Sequence, residues 1–212
     1  MSLPPIAAFP RLVLGSTSPY RRELLQRLGL PFDVCHPQVD ESPQPDEAPR
    51  ALAVRLALEK ARAVARTQPD DVVVIGSDQV ADLDGQPLGK PGDHATAVRQ
   101  LQAQRGRVVH FHTAVAVVRP ARDFEVEVLS TVSVHMRAVS DDDIDTYLRL
   151  ERPYDCAGSA KCEGLGIALL DRITSDDPTA LIGLPLIAVS RLLREAGLDP
   201  LRWLATSAAS RP

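Results

Sequence analysis

The opening of the chain constrains the fold most. Leu12–Gly15 is a short apolar run of strand length. Ser16-Thr17-Ser18-Pro19 follows, with Ser18 suited to a helix N-cap and Pro19 to the first helical position. Leu24, Leu25 and Leu28 then recur at helical spacing, and Gly29 stands where a left-handed residue closes a helix. A strand feeding a helix through a tight turn belongs to α/β architectures. It also aims the unpaired N–H groups of the helix start, and the positive end of its dipole, at whatever lies beyond the strand.

The rest of the chain extends this pattern. Phe32–Cys35 reads as a second short strand, and residues 36–50, rich in Pro, Asp and Glu, as an exposed loop. Ala51–Arg66 is a strong helix, and Val72–Gly76 a buried strand ending in Ser77-Asp78-Gln79. Asp84-Gly85 and Gly89-Lys90-Pro91-Gly92 mark turns, followed by a helix over about 94–104. Val108–Val118 and Glu125–Arg137 read as long strands paired antiparallel through the 120–123 loop, with an interruption near Ser130. Ser140 and three aspartates start a helix that runs to about Glu151. Residues 153–166 are loop-like, Ile167–Ile173 is a strand, and Leu184–Ala196 is an amphipathic helix closed by Gly197. Parallel βα units around an antiparallel centre give an α/β class with a mixed sheet flanked by helices. With 212 residues and no repeat or linker, one domain over 1–205 is expected, with 206–212 as a disordered tail.

Charge and composition narrow the partners. The 24 basic and 28 acidic residues give a net charge of −4, which argues against binding a nucleic-acid polymer through its backbone. No apolar run approaches the ~20 residues that span a bilayer, and no signal peptide is visible at the N-terminus. Three cysteines, Cys35, Cys156 and Cys162, suit a reducing cytoplasm better than a disulfide framework. His110 and His112 share one face of a strand, where packing is a commoner role than metal binding.

Several side chains near element ends carry chemistry. Arg21 and Arg22 in the first helical turn conflict with the dipole, and an anion beside Ser16 and Ser18 would relieve that conflict. The same residues also suit an ordinary cap with surface arginines. Leu52, Leu56 and Lys60 share one helical stripe, so Lys60 either snorkels or meets an anion. Asp78 is placed just past a buried strand, where open α/β sheets bind ligands. Lys90 sits on a rigid turn, and Glu41 in a loop. In Ala157–Gly164, Lys161 and Glu163 share a face if the segment is extended. Clustered cations with two or three acids are the inventory for a polyphosphate with a divalent metal. Salt bridges in a plain α/β domain would use the same residues.

Ser16-Thr17-Ser18-Pro19-Tyr20-Arg21-Arg22-Glu23-Leu24-Leu25 resembles the opening motif of the Maf nucleotide pyrophosphatases. Val39-Asp40-Glu41, Glu59-Lys60-Ala61, Gly76-Ser77-Asp78-Gln79 and Gly89-Lys90-Pro91 resemble its later motifs, in family order, over about Leu12–Gly197. The resemblance implies an ITPase-like α/β fold with two lobes around a central cleft. It implies a cytoplasmic enzyme, often a homodimer, that needs a divalent cation such as Mg²⁺ or Mn²⁺. The reaction implied is hydrolysis of a nucleoside triphosphate between the α and β phosphates. By motif, Asp78 would accept the proton from water. Ser16, Arg21, Arg22, Lys60 and Lys90 would hold the triphosphate, and Glu41 would assist at the metal.

Gln79, Glu163 and Tyr20 resemble the subgroup acting on N7-methyl-GTP, a house-cleaning role, although Tyr20 stands where that subgroup is associated with tryptophan. Glu163 suits the N1–H and amino group of guanine, and Tyr20 the face of a cationic ring. The alternatives are a dTTP, UTP or broad-specificity pyrophosphatase, and a non-catalytic nucleotide-binding regulator of septum formation.

Overall fold

In a computed structural model, which describes residues 9–68 and 71–209, the chain builds a seven-stranded mixed sheet flanked by six helices. The elements are β1 (Arg11–Gly15), α1 (Pro19–Gln26), β2 (Asp33–Val34), α2 (Pro49–Ala65), β3 (Val72–Leu83), β4 (Gln86–Leu88), α3 (His94–Gln104), β5 (Val108–Arg119), β6 (Phe124–Met136), α4 (Asp141–Glu151), β7 (Leu170–Thr174), α5 (Leu186–Glu195) and α6 (Pro200–Ala209). The strand order is β2-β1-β3-β5-β6-β7. β1 runs parallel to β2 and β3, and all other pairings are antiparallel.

Strand pleating sorts the apolar residues into layers. Leu12, Leu14, Val73, Ile75, Val115 and Val117 face α1 and α5, meeting Leu24, Leu25, Leu192 and Leu193. Their neighbours Val13, Val72, Val74, Ala114 and Ala116 face α2. The far halves of β3, β5 and β6 build a second core with α3 and α4, around Phe111, Val134, Leu101 and Leu148. The long strands thus carry two lobes, with a cleft between them.

Local signals hold at the helix ends. Ser18 Oγ accepts the Arg21 N–H, Pro19 starts α1, and Gly29 has φ +69°. At α4, Ser140 and Asp143 form a reciprocal capping box. Four expectations change. β3 does not stop at Gly76: Val74–Asp82 pairs continuously with β5, which carries the polar Ser77-Asp78-Gln79 through the strand interior. β6 has no break at Ser130, which pairs with Thr113. Residues 165–169 are helical turns, so the late strand is only Leu170–Thr174. The tail expected to be disordered from 206 is helical to Ala209, with Thr206 buried, while 210–212 lie outside the described residues.

Candidate active site

The cleft forms where β3 lacks a neighbour. β1 pairs with β3 only as far as Gly15 and Gly76, then turns away into α1. β4 joins the same side of β3 only at Ala81. Between them, Ser77–Val80 presents an edge with no described strand beside it. The cleft of about 720 Å³ lies along that edge. The sequence reading put Asp78 at the end of its own strand. It sits instead beyond the end of the neighbouring one, which gives the same access to ligand.

Pleating sends Asp78 to the α2 side of β3, the side that Gly76 also faces. The Gly76 α-carbon lies against the α2 backbone: a Cβ there would stand 2.2 Å from Ala57 O. Such close contact brings Lys60, one turn beyond Ala57, over Asp78. The buried Lys60 Nζ donates to Asp78 Oδ1 at 2.7 Å and lies 2.7 Å from Glu41 Oε1. Asp78 is only 8% exposed. Burial opposes ionisation of Glu41, but the hydrogen bond and charge of Lys60, with the charges of Arg21 and Lys90, hold its carboxyl below the usual glutamate range.

Glu41 is presented by a loop tied to α2. Arg55 donates to both Glu47 carboxylate oxygens, at 2.7 and 2.8 Å, and to Ser42 O at 3.0 Å. These bonds fix both sides of the segment that begins at Glu41.

Ser77 and Gln79 point to the opposite face of β3 and hold the 180–183 turn. Ser77 Oγ lies within hydrogen-bond reach of Ala114 O (2.8 Å) and Gly183 O (3.2 Å). Gln79 Nε2 donates toward Thr113 Oγ1 and the carbonyls of Ala180 and Leu181, at 2.8–3.0 Å. Gly183 O also accepts from Arg21 Nε at 2.9 Å, which aims that guanidinium toward Ser16 Oγ, 3.5 Å from Arg21 Nη1. Desolvation holds Arg21 below the ordinary arginine range, against the charges of Asp78 and Glu41. The first turn of α1 has no acidic residue of its own, and the helix start and Arg21 line the cleft.

Arg22, expected to hold the triphosphate, does not line this cleft. One residue along the helix rotates it away from Arg21, and it is exposed beside a separate depression lined by Gln26, Pro31 and Phe32. Lys90 is exposed on the rim of the cleft.

Tyr20, Lys161 and Glu163 line the same cleft. The Lys161 ammonium sits 5.7 Å from the Tyr20 ring centroid and 3.3 Å from Glu151 Oε1. The Tyr20 hydroxyl is 3.9 Å from Cys156 Sγ. Burial above all, then the neighbouring Cys156, pushes its pKa up to about 12, so the phenol stays protonated. Glu163 is exposed, with Cys162 Sγ 3.5 Å from its Oε2. Sequence reasoning missed Ser77 and the Gly183 carbonyl as supports of the site, and Glu151 entirely. Ser77 lies within the Gly76–Gln79 motif, and Gly183 directly precedes the Leu184–Ala196 helix. Glu151 carries no local signal.

Among the described residues, no group of three or more His, Cys, Asp or Glu side chains is gathered to hold a metal. Glu41 and Asp78 meet around one ammonium, and two carboxylates completed by phosphate oxygens and water suit a hard divalent cation. His112 is bound to Asp82 and Thr131, and His110 to Ser133. Among the described residues, no helix is long and apolar enough to cross a membrane.

A family model described as Maf-like protein matches residues 11–196. A protein of Polaromonas sp. named 7-methyl-GTP pyrophosphatase is 64% identical over 187 residues, covering 88% of this chain and 85% of that one. One of Albidiferax ferrireducens with the same name is 61% identical over 191 residues, covering 90% and 96%. The solved Ham1 protein of Staphylococcus aureus is a looser likeness, with a TM-score of 0.44 at 16% identity over 60% of this chain and 72% of that one.

Proposed function

The chain belongs to the Maf-like family, and from that premise we propose that it hydrolyses N7-methyl-GTP between the α and β phosphates, releasing the monophosphate and pyrophosphate. The observation that carries the reading is convergence. Ser16, Arg21, Lys60 and Lys90, with the carboxylates of Asp78 and Glu41, line one cleft although they come from five separate segments. The names of the relatives support the choice of nucleotide.

In this reading the triphosphate lies between the α1 N-terminus and Lys60, held by Arg21 and Lys90. Asp78 accepts a proton from water. The water oxygen bonds to phosphorus as the bridging bond between the α and β phosphates breaks, and the electron pair leaves with pyrophosphate. Glu41 and Asp78 are the residues that would hold Mg²⁺ or Mn²⁺, which supplies charge to neutralise the phosphate oxygens when bound. Tyr20 stacks on the base, and Glu163 accepts from the guanine edge. Gln79 acts from behind, by holding the 180–183 turn. A house-cleaning role in the cytoplasm, as a homodimer, is part of the same proposal.

The test is turnover of N7-methyl-GTP, GTP, dTTP and UTP with Mg²⁺ and with EDTA, separating pyrophosphate from orthophosphate, with Asp78→Asn as control. Pyrophosphate release greatest from N7-methyl-GTP and lost in Asp78→Asn is expected. Equal or better turnover of dTTP or UTP overturns the choice of base. Activity that survives EDTA removes the metal.

A further inference from the structure

The base end of the cleft poses an electrostatic problem. An N7-methylated guanine carries positive charge, and stacking on Tyr20 would place that charge beside the Lys161 ammonium, which sits 5.7 Å from the ring centroid. Two cations on one aromatic face repel. A pocket that receives a cationic base there needs the charge of Lys161 neutralised.

Glu151 neutralises it from outside the cleft. It ends α4, its side chain is largely buried, and it does not line the cavity. Its Oε1 is 3.3 Å from Lys161 Nζ, and its Oε2 accepts the Leu165 N–H at 2.7 Å. One carboxylate thus grips both flanks of the turn that carries Glu163. The fit is close: a Cβ on Gly164 would stand 2.6 Å from Glu151 Oε2. One turn earlier in α4, the buried Tyr147 hydroxyl accepts the Lys161 N–H at 2.9 Å. Asp155 and Glu163 line the cleft wall, while the Lys161 ammonium is paired with Glu151.

We propose that Glu151 is a specificity-determining positioning residue, which neutralises the Lys161 ammonium beside Tyr20 and sets the Glu163 turn so that the pocket favours a cationic purine over a neutral one. The proposal rests on the N7-methylguanine reading of the site.

The experiment measures dissociation constants of N7-methyl-GMP and GMP, which differ by one methyl group and one ring charge, and so does not depend on turnover. The proteins are wild type, Glu151→Gln, Lys161→Met and the double variant. Glutamine keeps an acceptor for the Leu165 N–H but leaves the charge of Lys161 uncompensated. The preference for N7-methyl-GMP over GMP should fall about tenfold in Glu151→Gln, and recover in the double variant, because the ammonium is then absent. It should rise in Lys161→Met alone. Equal weakening of both nucleotides by Glu151→Gln, with the preference unchanged, overturns the proposal and leaves Glu151 a structural anchor. So does a double variant as poor as Glu151→Gln. If Glu151→Gln does not fold, an unchanged or lower preference in Lys161→Met overturns it by itself. A wild-type protein that binds GMP as well as N7-methyl-GMP defeats the substrate reading and the proposal with it, whereas a wild-type preference that Glu151→Gln leaves unchanged defeats the proposal alone. Failure of both nucleotides to bind the wild type defeats both.

Discussion

Lys60 and Asp78, from α2 and from the interior of β3, meet at 2.7 Å in a buried ion pair that Glu41 joins from a loop. Two carboxylates share one ammonium, so removing it leaves like charges facing each other, one of them buried. Lys60→Met should therefore lower unfolding free energy by about 2–3 kcal/mol, below the 3–5 of a wholly buried pair because Glu41 is largely exposed. Turnover should fall about 10²–10³-fold. Urea denaturation beside steady-state kinetics checks both. Stability and turnover close to wild type would reduce the cluster to a surface salt bridge.

Adjacent arginines in one helical turn should differ sharply. Arg21 is aimed into the cleft by Gly183 O, whereas Arg22 is exposed outside it. Arg21→Ala should raise KM for the triphosphate roughly ten- to hundredfold, the worth of a hydrogen bond to a charged group. Arg22→Ala should change it less than about twofold, as a surface substitution does. Equal effects would mean that α1 turns on binding.

How much of this was legible in the sequence depends on the range of the forces involved. The cap and first turn of α1 were readable because Ser18 and Pro19 act within one turn. Asp199-Pro200 is the same kind of pair: Asp199 Oδ1 accepts the N–H groups of Leu201 and Arg202 at the start of α6. That signal was present and went unread beside a polar tail. The length of β3 was hidden because Ser77, Asp78 and Gln79 look like a strand end, and only pairing with β5 carries the strand past them. Most cleft residues were legible through motif resemblance, but not the facing of Arg22. The grip of Glu151 on the 161–165 turn is wholly tertiary, and neither spacing nor composition marks it.

The loop that presents Glu41 should loosen in acid. Hydrogen bonds from Arg55, working against burial and helped by the Gln44 N–H, hold the Glu47 carboxyl down to about 2 from its usual 4.5. A carboxyl depressed in the folded state adds stability that is present above its unfolded value and is lost as pH falls through the folded one. The stability difference between wild type and Glu47→Gln should be constant at neutral pH. It should shrink steadily as pH drops from about 4.5 toward about 2. Chemical denaturation of both proteins across that window checks the trend, and a difference that stays flat there would show that the Arg55–Glu47 contact contributes nothing.

Gly76 offers the sharpest test of how the fold makes the site. Its missing side chain lets α2 lie directly on β3, and a Cβ there would meet Ala57 O at 2.2 Å and Ala61 N at 2.5 Å. Both are backbone atoms of the helix, so no rotamer change relieves the overlap. Gly76→Ala must lift α2, and with it Lys60, away from Asp78. The cost should reach or exceed the upper end of ordinary overpacking, about 3 kcal/mol. Turnover should fall with it, even at temperatures where the protein remains folded. Gly89→Ala is the matched control, because a Cβ there meets nothing within 4 Å. Its stability should stay within about 0.5 kcal/mol of wild type. If Gly76→Ala kept both stability and turnover, the close approach of α2 to β3 would not be what brings Lys60 to Asp78.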